Sequence, residues 1–258
     1  MQFTTIEAGS DGARGWIELD RPDKRNALSL TTLAELAAAA RWFDTMAAVK
    51  VVVVSGRGRS FSAGADLATF VTPDPDLPAR DAADLGRAMA DAVEAMQAVT
   101  VARIHGHCVG GALVLAAACD LRVAADDTYF SIPELDLGIP LAWGGIPRLV
   151  REIGPALTKE LVMTCRPFSA EEARTAGFVN RVVPAERLDA EVDALVADLV
   201  SKSALTLRAT KRHVDAITAQ SVGTGRAWSD ADSLVSALAD PESRAVALAY
   251  LERFGQQG

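Results

Sequence analysis

The stretch TVARIHGHCVGGALVLAAACD, residues 100–120, joins a strand pattern to an apolar helix pattern through two adjacent glycines. We expect residues 100–107 to form the strand, and Gly110 and Gly111 to open the helix. The first N–H groups of a helix have no partner within it, and glycines let a ligand come close to them. The stretch therefore predicts a strand-to-helix turn that can hold a negatively charged group.

A second glycine-bearing turn, FSAGADL at residues 61–67, follows the strand pattern VKVVVVSG at residues 49–56. It has the same character, because its small residues also allow a ligand to approach the backbone. Three more segments show strand patterns: WIELD at 16–20, LRVAADDTYFS at 121–131 and the shorter RVVP at 181–184. Alanine- and leucine-rich segments with helical spacing lie between the strands. This alternation predicts an α/β domain.

Capping residues predict where two of the helices begin. Thr32 and Glu35 form a T-x-x-E capping box at the start of the first helix. Ser169 and Glu172 form another capping box, and Gly177 is well placed to close that short helix in the left-handed conformation.

The C-terminal part of the chain carries helical patterns only. They cover residues 184–202, 205–217 and 242–254. The proline- and aspartate-rich stretch at residues 72–84 predicts a surface excursion rather than a domain boundary. We therefore predict a core over residues 1–195 and a helical region over residues 196–258.

Composition and charge exclude several classes of protein. The chain has 258 residues, of which 50% are hydrophobic and 23% charged, as in soluble globular proteins. Its net charge of −8 argues against nucleic acid as a partner, because phosphate binding needs a basic surface. No apolar run reaches the roughly 18 residues that would span a membrane. We therefore expect neither nucleic acid nor a membrane among its partners.

The N-terminal and cysteine patterns bear on location. The first residues, MQFTTIEAGSDG, lack the basic segment and apolar stretch of a secretory signal. Cys108, Cys119 and Cys165 are an odd, widely spaced set in apolar surroundings, as expected of reduced thiols. Both features favour a cytoplasmic protein.

Common catalytic and metal-binding motifs are missing. The sequence has no G-x-S-x-G elbow, no GxxxxGK[ST] phosphate loop and no GxGxxG after a strand. His105 and His107 are separated by one residue, so on a strand they would point to opposite faces. With three histidines in all, the chain offers too few ligands for a metal site, and we expect no metal.

Five ordered segments together resemble the crotonase (enoyl-CoA hydratase/isomerase) superfamily. They are residues 16–28 with the N-A-L turn, 61–67, 105–120, 130–154 and 168–184. Each segment alone is a weak signal, but their order and spacing match the family over almost the whole chain. The resemblance implies a superhelix of ββα units followed by a helical C-terminal region. It also implies a homotrimer or a dimer of trimers.

The resemblance also implies a binding site for an acyl-CoA thioester, with no cofactor beyond the coenzyme A of the substrate. The backbone N–H groups of Ala65 and Gly111 would bind the thioester oxygen. Residues that line the CoA side would be Ala65, Asp66, Leu67 and Ala68. In the family, the last helix reaches the nucleotide of a neighbouring subunit, and Tyr250 and Arg253 hold the corresponding positions here.

The identity of the reaction depends on two positions. Hydratases of the family use two glutamates, and Val114 stands where the first is expected, while Glu134 matches the second. A single carboxylate can move a proton from carbon 2 to carbon 4 of a 3-enoyl-CoA. The G-G-x-L-V sequence at residues 110–114 also resembles the mitochondrial type of Δ3,Δ2-enoyl-CoA isomerase. We therefore favour an isomerase over a hydratase.

Other interpretations stay open at this point. Asp136 would share a face with Glu134 in extended chain and could be a second acid, whereas Asp66 is expected to be structural. Trp143 is either a wall of the acyl pocket or an ordinary core residue. Loss of one glutamate would also suit a non-catalytic acyl-CoA binder. A serine protease on a related fold would use Ser62, but no base is evident beside it.

Overall fold

The computed structural model describes residues 2–67 and 77–255, with only the backbone described at residues 226, 228 and 253–255. Ala68, one of the predicted CoA-side residues, lies outside this description. No helix in the described part of the chain is long and apolar enough to cross a membrane.

Within the described residues, nine strands form two sheets. The large sheet contains, in spatial order, β1 (Ile6–Asp11), β2 (Arg14–Leu19), β3 (Val51–Gly56), β4 (Val99–Ile104), β6 (Leu121–Ala125) and β9 (Arg181–Val183). The small sheet contains β5 (His107–Val109), β7 (Tyr129–Ser131) and β8 (Phe168–Ser169). The pairs β1–β2 and β7–β8 are antiparallel, and the remaining pairs are parallel.

The chain repeatedly passes from the large sheet to the small one and then into a helix. It goes from β4 to β5 and then to the helix Gly111–Ala117, and from β6 to β7 and then to the helix Gly145–Thr164. After β3, Ser62 makes a parallel bridge to Cys108 and so lies at the edge of the small sheet, next to β5. These repeated ββα units are the turns of a superhelix, which confirms the expected fold class.

Nine helices accompany the strands in the described part of the chain. They are α1 (Leu30–Phe43), α2 (Ala79–Glu94), α3 (Gly111–Ala117), α4 (Gly145–Thr164), α5 (Ala170–Thr175), α6 (Leu188–Val200), α7 (Ala204–Val222), α8 (Asp230–Ala239) and α9 (Pro241–Gly255). The predicted division between residues 195 and 196 falls inside α6, and the separation into two regions stays a prediction. Helix α8 was not predicted.

The core lies on both faces of the large sheet, because the parallel strands are covered on both sides. On β3, Val52 and Val54 pack into the main core with α1 and α2. Val51 and Val53 point to the opposite face, where helix α6 covers them. The continuous valine run of this strand is explained by burial on both faces.

Local predictions had mixed outcomes. Ser169 accepts a hydrogen bond from the N–H of Glu172 at 3.1 Å, which confirms the N-cap, and Gly177 ends the helix with φ +92° as predicted. The reciprocal half of this capping box was wrong, because the Glu172 carboxylate pairs with Arg166 instead. The other capping box was wrong: Ser29, not Thr32, caps α1. Glu35 instead accepts hydrogen bonds from two N-terminal threonines, Thr4 and Thr5.

Two segment predictions also need correction. Residues 121–131 form two strands rather than one, because a turn before Tyr129 carries the chain from the large sheet to the small one. Within the predicted excursion at residues 72–84, the residues from Ala79 onward belong to helix α2.

Candidate active site

The first predicted donor, Ala65, is oriented by a parallel bridge to Leu28. The N–H of Leu28 donates to Gly64 O at 2.8 Å, and the N–H of Asp66 donates to Leu28 O at 3.0 Å. In a parallel ladder the residue between two such partners turns its own N–H to the other side. The N–H of Ala65 accordingly has no acceptor among the described residues.

Asn26 holds this donor loop, a role that sequence reasoning did not assign. It is buried with φ +56°, a left-handed conformation that asparagine tolerates. Its Nδ2 donates to Arg57 O at 2.9 Å and to Ser60 O at 2.8 Å. Its carbonyl oxygen accepts the hydroxyl of Ser62 at 2.8 Å. The signal in the sequence that could have indicated this role was the asparagine of the N-A-L turn.

The second predicted donor, Gly111, is the first residue of α3, and its N–H has no acceptor in the described ranges. The turn before it is fixed by Gly110, which has φ +53° and donates its N–H to Ser131 O at 2.9 Å. The two donor turns are close together. A Cβ added to Gly64 would overlap Val109 O and lie 3.4 Å from Gly111 N.

Glu134 occupies the turn that follows β7. Only 8% of its surface is exposed, and its Oε2 accepts no hydrogen bond from the described residues. Burial raises the pKa of this carboxyl group to about 7. A Cβ at Gly110 would lie 2.5 Å from Oε1, and the φ of +53° at this position also favours glycine. A carboxyl group with this pKa can both take and return a proton near neutral pH.

The structure brings Ala65, Gly111 and Glu134 together in one pocket with about 310 Å³ of empty space, its open mouth included. The described lining residues are Ala65, Gly111, Val114, Glu134, Ile139, Pro140, Leu141, Ala142, Trp143 and Leu234. Glu134 is the one ionisable side chain among them. The pocket therefore presents an apolar wall beside one carboxyl group and two N–H groups that have no acceptor among the described residues.

Asp136 does not share the face of Glu134, and that expectation was wrong. Residues 134–138 form a turn rather than extended chain, and Asp136 is exposed on it. It is absent from the lining of the pocket. The pocket side of this turn thus carries one carboxylate.

The predicted CoA-side residues are only partly brought together. Asp66 pairs with Arg21 at 2.8 Å, as a structural residue would, and Leu67 is 38% exposed. Helix α9 packs on the turn of residues 134–138 in its own chain, where Gly138 contacts the backbone of α9. Burial raises the pKa of Tyr250 on this helix, and the charge of Asp136 adds to the effect. The side chain of Arg253 lies outside the described part.

The other potential nucleophiles, Ser62 and two cysteines, have the surroundings of residues that support the fold. Ser62 is fully buried, donates its hydroxyl to Asn26 O and accepts the N–H of Gly64. Cys108 and Cys119 are buried, and burial raises the pKa of both thiols. Across residues 2–67 and 77–255 no three His, Cys, Asp or Glu side chains are grouped as metal ligands.

Comparisons with known proteins agree with this geometry. Residues 13–257 match the model of the enoyl-CoA hydratase/isomerase family. The crotonyl-CoA hydratase of Syntrophomonas wolfei subsp. wolfei is 35% identical over 212 residues, which cover 82% of this chain and 81% of that protein. The human mitochondrial Δ(3,5)-Δ(2,4)-dienoyl-CoA isomerase is 33% identical over 208 residues, 76% of this chain and 63% of that protein.

A solved structure extends the agreement to the fold. The enoyl-CoA hydratase of Mycobacterium avium subsp. paratuberculosis K-10 superposes with a TM-score of 0.88 at 24% identity, over 98% of this chain and 97% of that one. Hydratases and isomerases both occur among these relatives. The family match spans nearly the whole chain, and its two predicted donors and Glu134 share one pocket; the chain belongs to the enoyl-CoA hydratase/isomerase family, the crotonase superfamily.

Proposed function

We propose that the protein is an enoyl-CoA isomerase that converts a 3-enoyl-CoA thioester to the 2-enoyl isomer, with Glu134 as its one base. The observation that carries this proposal is the composition of the pocket. Glu134 is the only ionisable side chain among its described lining residues, and Val114 lies in the same lining. A double-bond shift needs one group that removes a proton and returns it.

The proposed reaction gains and loses no atoms. The Glu134 carboxylate takes a proton from carbon 2, and the electron pair of that C–H bond moves toward the thioester carbonyl. The negative charge of the resulting dienolate is then held by the N–H groups of Ala65 and Gly111. Glu134 returns the proton to carbon 4, which leaves the double bond between carbons 2 and 3. A pKa near 7 suits both proton transfers.

A hydratase is the second candidate, because the chain is 35% identical to a crotonyl-CoA hydratase. Hydration needs a water molecule that is held and deprotonated, and a bound water needs two or more polar partners. Apart from Glu134 and the indole N–H of Trp143, the described side chains of the pocket carry no polar group, and no second carboxylate is among them. A non-catalytic acyl-CoA binder is less well supported, since burial of an unpartnered carboxylate is costly and serves no binding purpose.

The wild-type rate ratio tests the choice of reaction. The kcat/KM for isomerisation of a 3-enoyl-CoA is compared with that for hydration of the 2-enoyl-CoA of equal length. We expect isomerisation to be faster by at least about tenfold. Faster hydration would overturn the isomerase proposal in favour of the hydratase. Tight binding without turnover of either substrate would favour the binder.

We also propose that the substrate is an acyl-CoA whose coenzyme A passes Asp66, Leu67 and Ala68, with Tyr250 and Arg253 near a nucleotide. The coenzyme A of the substrate is the only cofactor we propose. The two buried thiols fit a reducing location, and we propose the cytoplasm.

The proposed assembly is a homotrimer or a dimer of trimers. Helix α7 has no buried residue within the chain, and Leu205, Val214 and Ile217 are largely exposed on it. A partner subunit packed on α7 would account for the exposure of these apolar side chains. A solution mass of three or six chains is expected, and a mass of one chain would overturn the assembly.

A further inference from the structure

Trp143 has an unusual backbone conformation. Its φ is +60°, in the left-handed region that bulky side chains rarely adopt, and Gly144 follows it with φ +69°. Such a conformation persists only where the surrounding structure holds it, and it is often found at functional sites. The contacts around Trp143 must therefore hold its backbone, and its ring is a candidate for a functional role.

Two charged side chains hold the backbone of this residue pair. Arg148 is fully buried, and its Nη1 donates to the carbonyl oxygens of Trp143 and Gly144, each at 3.3 Å. The carboxylate of Asp230 on α8 accepts the N–H of Gly144 at 2.8 Å. Helices α4 and α8 thus fix this turn from two sides.

The indole ring lies between two glycines. A Cβ added to Gly86, in the middle of α2, would overlap the ring at Cδ2, and a Cβ added to Gly111 would overlap it at Cζ3. A glycine in the middle of a helix is unfavourable compared with alanine, so its presence calls for a packing reason. Both glycines leave room for the ring. The indole is therefore confined against the predicted oxyanion donor Gly111 and also lines the pocket.

We propose that Trp143 limits the length of the acyl group that the pocket accepts. This inference rests on the proposal that the pocket binds an acyl-CoA. If Gly111 N–H binds the thioester oxygen, the acyl chain begins beside the ring. The ring is held by its backbone and by both glycines, so it does not move aside for a longer chain. Its removal would join the space between α2 and α3 to the pocket.

The test measures binding of saturated acyl-CoA thioesters, from butanoyl- to dodecanoyl-CoA, by isothermal titration calorimetry. These ligands have no double bond, so the result does not depend on which reaction the enzyme performs. Each buried methylene is worth about fourfold in affinity. In the wild type we expect this gain to stop at a short chain. In Trp143→Ala it should continue, so that the ratio of dodecanoyl- to butanoyl-CoA affinity rises at least about tenfold.

Two further variants complete the experiment. Trp143→Gly removes the same ring and suits the left-handed backbone, so it serves if the alanine variant folds poorly. Trp42→Ala removes a partly buried tryptophan on α1, outside the pocket, and should leave the affinity ratio unchanged. An unchanged ratio in both Trp143 variants, or an equal loss at all lengths, overturns the role of Trp143. Failure of the wild type to bind any acyl-CoA overturns the proposed function as well.

Discussion

Glu134 and Arg148 lie on either side of Trp143 in the chain, and both are buried, with 8% and 0% of their surface exposed. Arg148 donates to Asp91, Glu94 and two carbonyl oxygens, and only its Nε lacks an acceptor among the described residues. The Oε2 of Glu134 has no hydrogen-bond partner in residues 2–67 and 77–255, and burial raises the pKa of this carboxyl group to about 7. The difference separates a buried charge that fastens helices from one that is available for chemistry.

The network around Arg148 supports this contrast. Burial alone would raise the pKa of Glu94, but the charges of Arg148 and Arg151 outweigh it and lower that pKa. Among the described residues, no cationic side chain lies beside Glu134 to stabilise its ionised form. The same kind of substitution should therefore have opposite consequences in the two regions.

The largest expected effect is on turnover. Glu134→Gln keeps the size of the side chain but removes the base, so isomerisation should fall by about 10²- to 10⁴-fold. Steady-state kinetics with a 3-enoyl-CoA measures this effect, and acyl-CoA affinity should stay close to that of the wild type. Asp136→Asn is the matched control, because Asp136 is exposed outside the pocket. An unimpaired Glu134→Gln would refute the assignment of the base.

Removal of the other buried charge should act on stability. Arg148→Met removes a donor from two carbonyl oxygens and one partner from each of two carboxylates, and we expect a loss of about 3 kcal/mol in the free energy of unfolding. The carboxylates keep their ion pairs with Arg87 and Arg151. Urea unfolding measures it. Arg151→Met is the control, since Arg151 is partly exposed and should cost about 1 kcal/mol or less. Equal losses in the two variants would show that the fully buried Arg148 contributes no more to stability than the partly exposed Arg151.

The N–H of Gly111, like Oε2 of Glu134, is a polar group without a partner among the residues that the structure describes. Gly111→Ala and Gly111→Pro both place a Cβ against Trp143, but only the proline deletes the N–H. The proline variant should therefore be slower than the alanine variant by about 10²- to 10³-fold. Proline is tolerated in the first turn of a helix, so α3 should persist in circular dichroism. Equal rates would mean that this N–H binds no developing charge.

The cost of burying Glu134 should appear as a pH dependence of stability. Its pKa is about 7 when folded and 4.5 when unperturbed, so the folded state holds more protons between these values and stability falls as pH rises. Above pH 7, the free energy of unfolding of Glu134→Gln should therefore exceed that of the wild type, by roughly 3 kcal/mol at most. The difference should vanish below about pH 4.5. Unfolding curves at several pH values measure it, and a constant difference would contradict the assigned cause.

The smallest expected effect concerns Trp143, which joins the two regions through its carbonyl and its ring. Gly86→Ala should destabilise the wild type by about 1–2 kcal/mol, because the new methyl group meets the indole. With Trp143→Ala present, the same change should stabilise by up to about 1 kcal/mol through helix propensity. A double-mutant cycle in urea isolates this coupling. The same sign in both backgrounds would show that the ring does not explain Gly86.

Several features were determined by the sequence itself. The valine run of β3, the glycines at residues 110 and 111 and the N-cap at Ser169 depend on neighbours in the chain, so local patterns were sufficient to predict them. The presence of Glu134 and of valine at position 114 needs no structure to be seen. The alternation of strands and helices was enough only for an α/β domain, and the superhelix was implied by the order and spacing of five segments that resemble the family. Glu134 with valine at position 114 made isomerisation the favoured reaction, which stays a prediction.

Other features were decided only by the tertiary structure. Glu35 left its expected cap because Thr4 and Thr5, distant in sequence, offer it four hydrogen bonds. Asp136 turned to solvent because the chain bends after Glu134. Trp143 could be a wall or plain core by sequence, and its place between glycines of two helices is visible only in the fold. Contacts between distant segments set these positions, and no local pattern encodes which segments meet.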